Sequence, residues 1–406
     1  MSTQHTPPGW DGWSPLAGTS LGPGAVTFGE SVVTKNTRRS RRRIVRKFAV
    51  LGPILFFLGV FFGVPYAVSP EPDTEISSRL AFATVDGRDV VLVPYQYDGA
   101  RGMHQLMFQD MFQGRMSAVD LATGEVIWDV EIQEGLSVEH GVLAVGSRYV
   151  YLSSSDGLWI VELDDGEVVA EPDGIDGLGV KYVAELESYR TDPRTGAVLT
   201  RDIDGQVLRI ELDSLTAVPA DLDWDRLAAS EECSSLVETG YTTVLRASLG
   251  GDATLDLMST GSGSLGSTLR VTGTDDPPAL PDTVFYQAGI LVADTALDHC
   301  IGGDDNDSAL PMAVGADQRF VVVEHQENAK AVDTRLSIID LRSGAVVATT
   351  EGSSSRTSVH FRAGTVVMPV KSDEAVEPNK LLLVRSNSST QTIGIGDHGF
   401  FGTIFG

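Results

Sequence analysis

MSAVDLATGEVIWD, residues Met116 to Asp129, is the stretch from which the architecture of this chain is read. It holds an apolar run, Asp120, a Thr123–Gly124 turn and a return run containing Trp128. Two short apolar runs around a glycine turn make an antiparallel hairpin, because glycine enters the positive-φ region without steric penalty. Variants follow as LWIVELDDGEVVAE from Leu158, VLRIELDSLTAVPAD from Val207 and LSIIDLRSGAVVATT from Leu336. Their acidic markers, Asp120, Glu162, Glu211 and Asp340, are 42, 49 and 129 residues apart. The last gap holds three steps of about 43 residues. TLDLMSTGSG places a degenerate copy at Asp256, and Asp298 falls at the step after it.

From Leu80 onward the chain is a succession of short apolar or alternating runs, among them DVVLVPY, GVLAVGSRYVYLSS, RFVVVEH and TVVMPV, each ended by Gly, Asp, Asn or Ser. No sustained helical period appears, so this segment is expected to be all-β. A repeat of about 42–49 residues suits four-stranded blades around an axis, since such a sheet cannot cover its own faces and a closed ring protects its edges. Division by about 45 residues per repeat gives a β-propeller of about seven blades, with six or eight as neighbouring solutions.

The segment AVDLATGEVIW resembles the repeat of the PQQ-like β-propellers, the superfamily of quinoprotein dehydrogenases and of the outer-membrane assembly-factor propeller. Asp120, Thr123, Gly124 and Trp128 carry the resemblance, and Glu162–Gly166 and Asp340–Gly344 are partial copies. The resemblance implies a fold more than a function. The dehydrogenases' vicinal disulfide has no counterpart here, because Cys233 and Cys300 lie 67 positions apart. The β segment also holds only three tryptophans, Trp128, Trp159 and Trp224. Neither PQQ nor any other cofactor is expected, and Trp128 and Trp159 read as packing between blades.

Upstream, FAVLGPILFFLGVFFGVPYAV runs 21 residues, Phe48 to Val68, without a charge. As a helix it spans roughly 30 Å, one hydrocarbon core. Arg38, Arg39, Arg41, Arg42, Arg43, Arg46 and Lys47 precede it, and SPEPDTE follows. That asymmetry places the N-terminus in the cytoplasm. Signal peptides have shorter apolar cores after shorter leaders, so an uncleaved anchor is the reading. The expected organisation is a disordered cytoplasmic tail over 1–37, a basic juxtamembrane segment over 38–47, a transmembrane helix over 48–68, a linker over 69–79 and an extracytoplasmic β domain over 80–406. The protein is therefore expected in the cell membrane as a single-pass component.

Residues 1–68 carry 8 Lys and Arg against 2 Asp and Glu, leaving 22 against 54 in the remainder, a formal charge of −32. Such a surface excludes nucleic acid as a partner and favours basic ones, and it also serves solubility. Both cysteines, Cys233 and Cys300, fall in the segment assigned to the oxidising side, where an even count favours one disulfide. Closing that loop is worth roughly 4 kcal/mol in the chain-entropy view.

Chemistry is sparse. The seven histidines have no metal-binding spacing, and no nucleophile elbow, P-loop or zincin motif is present. No catalytic residue is assigned and an enzyme is not expected. GGDDNDS, Gly302 to Ser308, offers Asp304, Asp305 and Asp307 as oxygen ligands for calcium, although the spacing is not that of an EF-hand and a solvated acidic loop explains it as well. The sequence thus points to a noncatalytic binding or scaffolding surface for another cell-envelope protein or an exported peptide. The alternative is a small-ligand receptor or enzyme using the propeller channel.

Overall fold

The β3 run RDVVLVPYQYD is apolar at consecutive positions because both of its faces are buried. In the computed structural model Val91, Val93 and Tyr95 face one neighbouring sheet, and Val90 and Leu92 face another. Successive side chains of a strand point to opposite faces, so a strand between two sheets loses the polar half of its alternation. The structure describes residues 73–396, apart from 99–111, 135–139, 180–187, 225–240, 294–309, 353–357, 373–377 and a few shorter interruptions, together with scattered positions between 53 and 64. Residues 1–47, most of the 48–68 segment, Cys233, Cys300, Asp298, Asp304, Asp305 and Asp307 lie outside the described residues. Among the described residues no helix is long and apolar enough to cross a membrane.

The chain divides into two units, Met1–Val60 and Phe61–Gly406, and every described strand belongs to the second. The first sheet comprises β1 (Asp73–Ile76), β2 (Ala81–Val85), β3 (Arg88–Asp98), β4 (Phe112–Asp120) and β5 (Val126–Glu134). Its order is β1-β3-β4-β5, with β2 also paired to β3. The second is a meander of β6 (His140–Val145), β7 (Tyr149–Ser154), β8 (Gly157–Glu162) and β9 (Val168–Ala170). The third repeats it with β10 (Arg190–Thr191), β11 (Val198–Arg201), β12 (Val207–Ile210) and β13 (Ala217–Pro219).

An eight-stranded sheet follows, with β14 (Tyr241–Val244), β15 (Arg246–Gly250), β16 (Ala253–Ser259), β17 (Gly266–Thr272), β18 (Phe285–Ala293), β19 (Phe320–Gln326), β20 (Thr334–Asp340) and β21 (Val346–Glu351). Strand β18 is its joint: Phe285 and Tyr286 pair with β17, while Ile290 to Ala293 pair with β14. The last sheet is the meander β22 (His360–Arg362), β23 (Thr365–Val370), β24 (Lys380–Val384) and β25 (Thr390–Gly394).

Among the described residues, sheets pack face to face at four junctions. Met116, Ala118 and Trp128 of the first meet Val150, Leu152 and Val161 of the second. Tyr149, Tyr151 and Ile160 of the second meet Val198, Leu208 and Ile210 of the third. Phe320, Val322 and Ile338 meet Val366, Met368 and Val384 of the last sheet. Finally Val91, Val93 and Tyr95 of the first sheet pack on Val367, Leu381 and Leu383 of the last. Antiparallel meanders stacked around and returned from last to first are the arrangement of a β-propeller. The seam between first and last sheets depends on side chains, so Leu383→Ala, at a fully buried position, is expected to cost about 2–5 kcal/mol. Urea unfolding should show a lower midpoint with an unchanged slope.

The repeat markers do not all fall where their spacing places them. Asp120, Glu162 and Asp340 end β4, β8 and β20, immediately before their turns. Asp256 instead lies inside β16, paired with Arg246 at 2.9 Å. The apolar alternation of TLDLM carries the strand past the acidic position, so the turn begins later.

Candidate binding surface

The turn that defines the repeat closes on itself. Gly124 N donates to Asp120 O at 2.7 Å and Asp120 N to Glu125 O at 2.9 Å, while Asp120 Oδ1 accepts from Ala122 N at 2.7 Å and Thr123 N at 3.0 Å. Thr123 Oγ1 accepts from Glu125 N at 3.2 Å. Gly124 has φ +76°, and a Cβ there would meet the Gln391 side chain of the last sheet at 2.5 Å. The positive φ is what requires glycine, since the end of the Gln391 side chain can swing aside. The same backbone pair recurs at Glu162–Glu167 and Asp340–Ala345.

It recurs again at Asp192–Ala197, where Thr195 Oγ1 donates to Asp192 Oδ2 at 2.9 Å. This last turn joins β10 to β11 rather than the third strand to the fourth. It stands off the repeat of the acidic markers, although D-x-x-T-G, Asp192 to Gly196, has the same spacing as Asp120 to Gly124.

These turns lie at one end of the sheets, and contacts across each described junction tie them together. Trp128 Nε1 of the first sheet donates to Leu163 O of the second at 2.8 Å, and its indole lies against Gly166. Asp213 of the third sheet accepts from Ser147 N at 3.0 Å, Ser147 Oγ at 2.6 Å, Arg148 N at 2.8 Å and Tyr149 N at 3.2 Å, all in the second. Arg385 Nε of the last sheet donates to Leu121 O of the first at 2.8 Å, and Arg362 stands 3.4 Å from Asp89. Arg319, before β19, pairs with Asp340 and donates to Ser386 O in the last sheet, where Ser388 Oγ also donates to Asp340 at 2.9 Å. The result is a rim of turns held in register from the third sheet, through the second, first and last, to β18–β21.

Two carboxylates of this rim, Asp213 and Asp340, are spent on the clamps. Burial opposes ionisation of Asp213, but donation from Ser147 Oγ and three backbone N–H groups holds its carboxyl below the ordinary 3.8. The Arg319 guanidinium holds the Asp340 carboxyl well below the same value. With folded pKa values depressed, the unfolded chain binds more protons in acid, so these contributions are complete above the unfolded value and are lost as pH falls through the folded ones. Unfolding midpoints followed against pH are expected to be insensitive to both groups from pH 7 to about 5 and to decline below about 4. Asp213→Asn together with Asp340→Asn should flatten that decline.

The opposite end holds a buried polar cluster. Arg115 Nε donates to Asp129 Oδ1 at 2.9 Å, Tyr95 OH donates to Asp129 Oδ2 at 2.7 Å, and Ser117 Oγ donates to the same carboxylate. Arg115 Nη1 also lies 3.4 Å from Glu131. Burial first, and then the Asp129 charge, hold the Tyr95 phenol well above its ordinary 10.0. His140 Nε2 donates to Arg115 O at 2.8 Å, and burial pushes its pKa down, keeping the ring neutral. Ser117 meets Asp129 with no imidazole between them, so the group has the geometry of a lock on β3, β4 and β5 rather than of a hydrolytic triad. Back on the rim, at the β8–β9 turn, the carboxylates of Glu162, Asp165 and Glu167 lie within 4.8 Å of one another and could hold a cation, with Arg148 Nε 3.0 Å from Glu162 as the competing counter-charge.

No protein-family model matches the chain. No curated protein sequence matches it either. Among solved structures it is similar to the C-terminal WD40 domain of Sif2, at 8% identity and TM-score 0.23 over 80% of this chain and 97% of that one. It is also similar to the apo AtxE2 isopeptidase, at 13% identity and TM-score 0.31 over 82% of this chain and 53% of that one, so it spans about half the isopeptidase's length. A third likeness is to the β-propeller domain of the trilobed protease from Pyrococcus furiosus, at 8% identity and TM-score 0.20 over 81% of this chain and 86% of that one. Superpositions this loose add nothing to the architecture, which rests on the sheets and their packing.

Proposed function

We propose that the chain is a membrane-tethered, extracytoplasmic binding or scaffolding propeller, noncatalytic and of the PQQ-like kind without cofactor, whose rim of turns holds another cell-envelope protein. The rim carries this reading: Asp213 and Asp340 are taken up by clamps between sheets, and the ring they hold presents exposed turns such as Ala122–Thr123, Asp164–Asp165 and Ser386–Asn387. Rigid elements that present variable turns suit recognition better than chemistry. The tether is supported by the charge-free 48–68 segment and by the exposure of Phe56, Phe57, Val60 and Val64, at 73%, 65%, 45% and 52%. Apolar side chains left in the open by the protein itself mark a contact with something else.

Two finer features belong to the same proposal. The ring has six blades, with the eight-stranded sheet counted as two blades joined at β18, and Cys233 is bridged to Cys300. The six-blade count accommodates long connections that a uniform division by the repeat ignores.

Photo-crosslinking residues at Thr123, Asp165 and Asn387, compared with Asp204 and Lys330 at the opposite end, test the reading in native membranes. Recurrent capture of one envelope protein from the rim positions alone is the expected result. Capture of no protein from any of the five positions, with the folded protein instead stabilised by a small molecule or calcium, would replace the scaffold by a ligand receptor.

A further inference from the structure

The path by which the chain enters the propeller gives the molecule a direction. Strand β1 pairs antiparallel with the end of β3, Asp73 opposite Asp98 and Ile76 opposite Tyr95. The chain therefore arrives at the end of the first sheet where β3 closes and β4 opens, and runs toward the rim. The contacts between sheets fix which other connections share that end. Gln133, beside the end of β5, donates to Asp156 in the β7–β8 turn. The β11–β12 turn, Asp202 to Gly205, lies opposite Asp213, and the β19–β20 turn lies opposite Asp340 and Arg319.

The entry point is also on the inner side. Strands β1 and β2 share one edge of β3. On that edge Val142 N of β6 donates to Arg79 O at 3.4 Å, Thr191 Oγ1 of β10 donates to Leu143 O at 2.9 Å, and Tyr241 OH of β14 donates to Val359 O beside β22. The first strands of the sheets thus approach one another around the middle of the ring.

Resting on the tether reading above, we propose that the end carrying the β7–β8, β11–β12 and β19–β20 turns faces the membrane and that the clamped rim is the outward surface, open to a partner beyond it. Between Val68 and Asp73 the chain can reach no more than about 18 Å at full extension. The two ends of β3 are about 33 Å apart. A tether shorter than the domain is deep, attached near the middle of one end, cannot bring the opposite end down to the bilayer. The outward rim is polar, with Thr123, Glu125, Asp164, Asp165, Asn387 and Ser389 exposed, so the surface it offers suits a hydrophilic protein partner rather than lipid.

Energy transfer in proteoliposomes tests the orientation. The full-length protein, labelled one site at a time through a clickable amino acid at Asp204, Lys330, Thr123 or Asn387, would be reconstituted with an acceptor on the lipid headgroups. Transfer is expected to be about twofold or more stronger from Asp204 and Lys330 than from Thr123 and Asn387, given an offset of roughly 33 Å between ends. Equal or reversed transfer in protein that stays in the bilayer after a high-pH wash would overturn the orientation and leave the tether standing. Loss of the protein from the bilayer in that wash would overturn the tether and the orientation with it.

Discussion

Replacing Arg115 by methionine is expected to lower the unfolding free energy by about 3–5 kcal/mol. The loss would come less from the missing attraction than from what remains. Asp129, with 11% of its side chain exposed, would lose the guanidinium that faces it, while the Tyr95 and Ser117 hydroxyls still donate to it. A buried carboxylate stripped of its counter-charge is costly, whereas removing both partners is far cheaper. The double variant Arg115→Met with Asp129→Leu should therefore recover a large part of the loss, and a double-mutant cycle on urea midpoints measures it. Additive losses would mean that the pair is not coupled. His140 supplies a pH signature at the same place. Its folded pKa is depressed by burial below the ordinary 6.5, so stability is complete above that value and falls as pH drops below it. His140→Gln is expected to remove that part of the slope.

Trp128→Ala is expected to cost about 3–5 kcal/mol, for the cavity left by an indole that is 92% buried. The ring fills the space over Gly166 and between Met116, Val161 and Leu163, and its Nε1 is the donor to Leu163 O. Trp128→Phe separates the two contributions. It keeps much of the volume and loses the hydrogen bond, so its cost should be smaller, at about 1–3 kcal/mol, because a buried carbonyl is left without its donor. If the two variants unfold at the same midpoint, the hydrogen bond rather than the packed volume holds the first two sheets together.

The parts of the fold legible in the residues are those whose determinants are local. In Asp120 to Glu125 every hydrogen bond of the turn closes within five residues, so D-x-x-T-G predicts the turn wherever it stands, including at Asp192 to Gly196, off the repeat. The consecutive apolar residues of DVVLVPY likewise announce a strand buried on both faces. Asp256 misleads because an acidic residue within an alternating run is compatible with a strand as well as with its end. The clamps of the rim left no trace. Asp213 meets Ser147 across 66 residues and Arg385 meets Leu121 across 264, and the charged member of each pair reads in sequence like a solvated surface charge.

By itself the sequence determined the all-β character of the repeat region, the glycine turns, the double-sided burial of strands such as β3, and the charge asymmetry about the 48–68 segment. These follow from side-chain period, backbone φ and the sign of the charges, which are properties of neighbouring residues. Only the tertiary structure decided which sheets meet, that the first closes on the last, and that Asp213, Arg319 and Arg385 are clamps. Apolar burial is non-directional, so a strand pattern says that a face must be covered without saying by what. The choice of partner is made by the stacking of whole sheets, and the polar groups at their ends find their roles once that stacking has brought distant turns together.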